Sequence, residues 1–448
     1  MKQINFIIVV LLVLSTSSVA QANVYDLKKC LTLAEKNNHK IKEKQLEVVK
    51  AEEVKKEAFT RYFPKIEASA FAMRANKGLI EGEVPEMNLP VYDGNPASLQ
   101  NPAQFAYFPG MSIHMLDSAK MIAVTAIQPV FAGGKIINGN RLARLGVEIS
   151  NEQLLLSKEE VRSNTETYFW TIVALQEKKK TLASYEKLLN NLQKDVNVSY
   201  EAGLIQKSDV LKVQLELNKI SIQKLHLSNN LTLLKKNMSV IMGVPYDKTM
   251  EFRDDYDHLK KPQMVLRDKN EALEARVEHR LLLKAVEAKT LQKKMELGEI
   301  LPTMFIGAQA LGMDMMDNSM WRGVLFAGIT VPISDWWGGA HKLRAQNAEI
   351  SMARNALQEK SELLQLQMEQ DYNNLVESYQ QIELETLTVA QCKEHLKVVR
   401  DNFDGGILGM SDLLEAQAMV QKAEDTLVDA KTGYKINLSA YLKSSAQR

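Results

Sequence analysis

The sequence predicts a mainly α-helical protein with a small β part, built from two copies of a unit that joins long helical hairpins to short strands. Three observations carry that expectation. Gly and Pro are sparse, 21 and 11 in 448 residues, and aromatics make up only 6%, a composition that favours long uninterrupted helices over a bulky globular core. Apolar residues recur every seven positions at Leu154, Val161, Tyr168, Leu175, Leu182, Leu189 and Val196, and again at Met368, Leu375, Ile382, Val389, Leu396 and Phe403. The same landmarks also appear twice, in the same order.

The repeat sets the organisation. Gly203, Ser208, Asp209 and Leu211 recur as Gly406, Ser411, Asp412 and Leu414, an offset of 203 residues. Pro129, followed by Gly133 and Gly134, recurs with the same offset as Pro332, followed by Gly338 and Gly339. Pro64 and Pro302 each open a strand-like run. Solenoid periods are far shorter, so this is duplication of a large unit. Residues 1–22 read as a secretory signal: Lys2, an apolar core from Ile4 to Leu14, and Ala20 and Ala22 around a cleavage site. The first repeat is then 23–250, a linker 251–267, and the second repeat 268–448.

Each repeat reads as helix, strand, loop, strand, long helix, tight turn, helix. The first helices are expected at 27–61 and 268–299. Strands are expected at Lys65–Met73, Ile122–Phe131, Thr303–Gly312 and Val324–Ile333, from their alternation, β-branched content and terminal prolines. The loop 74–120 is long and rich in Pro, Gly and Asn, whereas 313–321 is short. Long helices at 135–202 and 340–402 would each extend roughly 100 Å at 1.5 Å per residue, which implies an elongated molecule. The seven-residue stripes are coiled-coil seams. Positions four residues further on are mixed (Lys158, Thr165, Ile172, Lys179, Glu186, Gln193), so the seams are narrow and suit helices packed side by side around a wet interior. Gly203 and Gly406 are suited to end helices in the left-handed conformation. Ser208 and Ser411 are candidate caps for the helices that follow, with Asp209 and Asp412 favourable in the first turn. Leu204-Ile205 and Ile407-Leu408 place apolar side chains at solvent-facing tips, a sign of docking. The glycine pairs after Pro129 and Pro332 mark strand-to-helix turns.

Lys plus Arg is 56 and Asp plus Glu is 55; that balance argues against nucleic acid as a partner. No stretch after the signal is long and apolar enough for a membrane helix, so any spanning falls to strands, which must close into a barrel. Four strands do not close one; about eight are needed, and three chains would supply twelve. Trp321, Trp336 and Trp337 fall where an aromatic girdle would lie. The seven histidines show no ligand spacing, and no phosphate loop or nucleophile elbow is present. No enzyme, cofactor or metal site is therefore expected. Met313, Met315, Met316 and Met320 read as unstructured loop methionine rather than as a soft-metal site. Cys30 and Cys392 read as structural or incidental.

With its duplicated strand exits and duplicated Gly-to-Ser-Asp tips, the chain resembles the TolC-like outer-membrane efflux family over about 25–443. The resemblance implies a homotrimer in the outer membrane of a Gram-negative bacterium, with four strands per chain in a shared 12-stranded barrel in contact with lipid and the helical hairpins forming a hollow periplasmic α-barrel. It implies a passive exit duct for a tripartite efflux or type I secretion system, docked to a periplasmic adaptor and an inner-membrane transporter. The docking tips would be Gly203, Leu204, Ser208, Asp209, Gly406, Ile407 and Ser411. Asp412 and Glu415 would line the periplasmic aperture. Some members latch that mouth with a tyrosine, an arginine and an aspartate; Phe403 and Leu408 stand at the first two places here and Asp209 at the third. The competing reading is a soluble periplasmic coiled-coil scaffold or adaptor, which has no need of strands requiring closure between chains.

Overall fold

The computed structural model describes residues 24–447 apart from 77–79, 97–99, 116–117 and 316–317. The expected signal at 1–22 and Met316 therefore lie outside the described residues. In order the elements are β1 Val24–Tyr25, α1 Leu27–Asn37, α2 His39–Thr60, β2 Lys65–Arg74, β3 Ile80–Val84, β4 Met87–Pro90, β5 Phe105–Phe108, β6 Met111–Met115 and β7 Ser118–Ala132. Then come α3 Lys135–Glu201, α4 Lys207–Met242, β8 Glu251–Phe252, α5 Lys269–Ala275, α6 Val277–Glu299, β9 Thr303–Met315, β10 Asn318–Thr330, α7 Asp335–Asp404 and α8 Met410–Ser444. The chain divides into two units. A helical unit holds residues up to Glu52, Leu145–Glu287 and Ser351–Arg448; a strand unit holds Glu53–Arg144 and Ala288–Ile350. Each unit draws on both sequence halves, so the units cut across the duplication.

In the helical unit the seven-residue stripes form the seams. Val161, Leu182, Leu189 and Val196 of α3 and Met368, Leu375, Ile382 and Val389 of α7 are buried. The narrow-seam expectation fails along one stretch of α3, where Thr165, Phe169 and Ile172 are fully buried. There the chain start and the linker close over the helix. β1 pairs in parallel with β8, and Tyr25, Cys30, Met238 and Phe252 join Phe169 and Trp170 in one core cluster. Burial pushes the Cys30 thiol up to about 12, so it stays protonated and inert. Cys30 and Cys392 are unpaired.

Both expected first helices are broken at a single extended residue. Asn38 (φ −58°, ψ 132°) separates α1 from α2. It accepts from the Lys40 N–H at 2.9 Å and donates to the Ile241 carbonyl at 3.0 Å. Arg276 (φ −68°, ψ 135°) separates α5 from α6. Its buried guanidinium donates to Glu278 at 2.8 Å and to the Leu364 carbonyl at 3.3 Å. At Asn38 the side chain replaces one forgone helical bond by accepting from Lys40, and at each break a side chain also reaches the carbonyl of a distant helix.

The strand unit holds an antiparallel sheet in the order β10-β9-β7-β2. All four strands are longer than expected, and the last, β10, begins earlier and stops at Thr330 rather than Ile333. The long loop is not structureless: β3 pairs with β6 and β4 with β5, continuing the β2–β7 hairpin as nested ladders. Met313, Met315 and Met320 lie in strands rather than in a loop.

The two strand exits differ. Gly133 and Gly134 have φ of +60° and +78° and make the turn from β7 into α3 as expected. A Cβ at Gly133 would overlap the backbone of Gly298, at the end of α6. In the second copy the glycine pair stands two residues further from its proline. The turn is made by 331–334, and Gly338 and Gly339 lie in the first turns of α7, so they are not turn residues.

Candidate functional site

The two helical tips are near copies. At the end of α3 the Gly203 N–H donates to Tyr200 O and the Leu204 N–H to Ser199 O, both at 2.9 Å. At the end of α7 Gly406 donates to Phe403 O at 3.0 Å and Ile407 to Asn402 O at 2.9 Å. Both are Schellman closures with the glycine left-handed, φ +73° and +71°. The residue after that glycine commonly folds back onto its own helix. Here Leu204 and Ile407 do not; they are 77% and 76% exposed. Ile205 and Leu408 turn inward instead, into clusters built by Val196, Val210, Phe403 and Met410 and by Leu396, Val399 and Leu413.

The serines are not caps. α4 starts at Lys207 after Gln206, and α8 at Met410 after Gly409, so Ser208 and Ser411 are second helical residues. The acids act one turn in. Asp412 accepts the Gly409 N–H at 2.9 Å, a one-way bond, since Gly409 has no side chain to cap in return. Asp209 pairs with Lys212 at 3.0 Å. Asp412 and Glu415 are three residues apart on one face of α8, and both are exposed.

A second feature emerges from strand register. Opposed residues share a face, and three successive rows on one face are wholly apolar: Ile66/Ala126/Ala308/Leu325, Ala68/Val124/Ala310/Gly323 and Ala70/Ile122/Gly312/Trp321. Polar groups bound them, with Gln128 at one end and the Lys120–Asp314 pair at the other. Those limits are eight residues apart along β7, about 27 Å at 3.4 Å per residue. The opposite face carries Glu67, Ser69, Thr125, Gln309 and Arg322, with Gln309 donating to the Thr125 hydroxyl at 3.0 Å. Phe305 and Phe326 on that face lie over Gly328 and Gly307. The outer edges of β2 and β10 have no partner strand among the described residues.

Residues 299–443 match the family model described as outer membrane efflux protein. Solved channels extend the likeness of fold to nearly the whole chain. The outer-membrane channel OprN matches with a TM-score of 0.75 at 12% identity, covering 94% of this chain and 89% of its own. CmeC of Campylobacter jejuni, an outer membrane channel, gives 0.74 at 14% over 94% and 85%. The outer membrane protein VceC of Vibrio cholerae gives 0.74 at 12% over 94% and 95%. No curated protein matches. The chain thus has the fold of the outer membrane channels, long helices with a small β part.

Within this efflux-protein fold the structure brings Gly203, Leu204, Ser208 and Asp209 together at one tip and Gly406, Ile407, Ser411, Asp412 and Glu415 at the other. It does not join Asp209 to a latch across the tips. Phe403 and Leu408 are packed with Leu192, Leu396 and Val399, so apolar burial occupies the latch positions. Sequence reasoning missed the two-faced sheet. The alternation of small and large apolar residues in 303–330 signals it only once the pairing register is known. Among the described residues no helix is long and apolar enough to cross a membrane.

Proposed function

We propose that three copies of this chain close edge to edge, β10 of one against β2 of the next, into a twelve-stranded barrel in an outer membrane. The observation that carries this reading is the sheet with two unpaired edges and, on one face, three successive rows that are wholly apolar. An exposed flat edge is a template for another strand, and lipid tolerates strands only when every backbone group is paired. The usual strand tilt shortens the run of about 27 Å to about 20 Å, close to the ~25 Å apolar band of such barrels. Trp321 at one limit and Trp337 beyond the other fit interfacial girdles.

The helices support the same closure. Leu211, Leu215, Ile222, Leu225, Leu233 and Val240 form an exposed apolar stripe along α4, and Leu363, Leu366, Leu384, Leu387 and Val398 form another along α7. Each has the period of one helical face and lacks a cover within the chain. The α4 stripe of one copy meets the α7 stripe of the next in a closed ring of hairpins, a hollow duct that exports cargo passively. Leu204 and Ile407 at its periplasmic mouth dock a periplasmic adaptor, which links the duct to an inner-membrane transporter. Leu204→Asp with Ile407→Asp is expected to abolish export in cells while leaving trimer yield unchanged; undiminished export would reject the docking role.

The purified protein is expected to run as a heat-resistant trimer and to conduct in planar bilayers. A soluble monomer would instead favour the scaffold reading. Three copies of Asp412 and Glu415 make an acidic ring at the mouth, which favours cations. Asp412→Asn with Glu415→Gln is expected to weaken cation preference and divalent block. The cap survives in that variant, because the amide oxygen introduced at position 412 still accepts from the Gly409 N–H. Unchanged selectivity would dismiss the ring.

A further inference from the structure

Half of the 20 methionines fall within 65–132 and 303–330, so they concentrate in the strand part rather than in the longer helical part. Three stand side by side. Met121 of β7 is opposite Met313 of β9, and Met313 is opposite Met320 of β10; Phe71 of β2 completes the row. The row lies on the mixed face of the sheet, since Lys120 and Asp314, the adjacent positions, belong to the other face. Directly opposed residues hold their Cβ atoms about 4.5–5.5 Å apart, so Met121 and Met320 flank Met313 closely enough for three flexible thioethers to be able to converge above β9. Methionine used as a gap filler sits in a packed interior. This row does not: Met121 is exposed, Met313 and Met320 are half-buried, and the next row holds Ser69, Ala123, Leu311 and Arg322.

We propose that Met121, Met313 and Met320 form a binding site for a soft monovalent metal ion, Cu(I) or Ag(I). Thioether sulfur is a soft neutral donor that selects such ions, whereas hard cations require oxygen. The row contains no carboxylate, and no group of three His, Cys, Asp or Glu suited to a metal occurs among the described residues. Arg322, in the next row on the same face, repels every cation alike. Retention therefore rests on sulfur bonding and excludes sodium, magnesium and calcium. The site is open to solvent on one side, as a transit site must be if bound ions are to leave. Its place in an export path rests on the channel reading above: three such rows would then lie at one level of the duct wall, toward the closed end of the β9–β10 hairpin. The site itself is contained in one chain's sheet.

The test measures retention of Ag(I), a redox-inert probe, by the purified full-length protein in detergent. The comparison is with Met121→Leu/Met313→Leu/Met320→Leu, a replacement close in volume. The wild type is expected to retain one more Ag(I) per chain than the variant, without competition from sodium or calcium. Equal retention overturns the site. Should the triple variant fail to assemble, Met313→Leu alone removes the central donor and carries the same comparison. Bilayer conductance separates the two readings. Methionine-dependent silver binding without conductance supports the site and overturns the channel; conductance with equal silver retention does the reverse.

Discussion

Val124→Arg is expected to destabilise the assembled barrel by about 2–4 kcal/mol, the cost of a cation at mid-depth on the lipid side of such a wall, whereas Val324→Arg should cost far less. Both are the same substitution, at neighbouring levels of the sheet. Val124 stands in the middle apolar row with Ala68 and Ala310. Val324 stands on the other face, in the row that holds Glu67, Thr125 and Gln309. The two side chains are similarly exposed in the single chain, 41% and 46%. Burial within one copy therefore cannot produce the difference, and only the surroundings of the two faces can. Urea titration of protein folded into lipid vesicles measures it. Equal losses for the two variants would show that the apolar face is not the one that meets hydrocarbon.

Gly133→Ala is expected to lower stability by about 2–4 kcal/mol, combining the left-handed backbone penalty with overpacking. Its φ is +60°, and the added Cβ would overlap the Gly298 backbone, which is not the end of a flexible side chain. Gly134→Ala carries the backbone penalty with little crowding, its nearest neighbour being the Asn138 side-chain nitrogen at 3.4 Å, so about 1 kcal/mol is expected. Gly338→Ala should be neutral or stabilising. That glycine is helical with nothing within 4 Å of its Cβ position, and alanine favours a helix by up to about 1 kcal/mol. Denaturant midpoints of the three variants rank them. Equal losses at Gly133 and Gly338 would contradict the asymmetry between the two strand exits.

That asymmetry shows where sequence reading stops. The tips were legible because a helix end in the left-handed region demands glycine, and Gly203 and Gly406 supply it within near-identical flanks. The buried stripes were legible because a seven-residue apolar period has few other uses. The glycine pairs were not equivalent, because two added residues move Gly338 and Gly339 from a turn into a helix, and neither position is strained there. Ser208 and Ser411 misled because serine is favourable at a cap, while the actual cap positions hold Gln206 and Gly409, and Asp412 supplies the side-chain bond. The breaks at Asn38 and Arg276 depend on carbonyls of distant helices, Ile241 and Leu364, which no local window contains. The strands within 74–120 are only four or five residues long, and their pairing is inherited from the β2–β7 hairpin rather than from their own propensity. The methionine row needed register across three strands; the sequence brings Met313 near Met320 but leaves Met121 far away in the first half of the chain.

The unpaired edges of β2 and β10 also bear on how stability should be measured. An isolated copy leaves the ladder groups on both edges for solvent or for any other strand it meets. If closure takes three copies, the folded wall is a product of mass action, and its apparent stability rises with protomer concentration. Melting points taken at one dilution would then not transfer to another. A lone copy would also need its edges shielded until two others arrive, which makes the interval before assembly the one most exposed to aggregation.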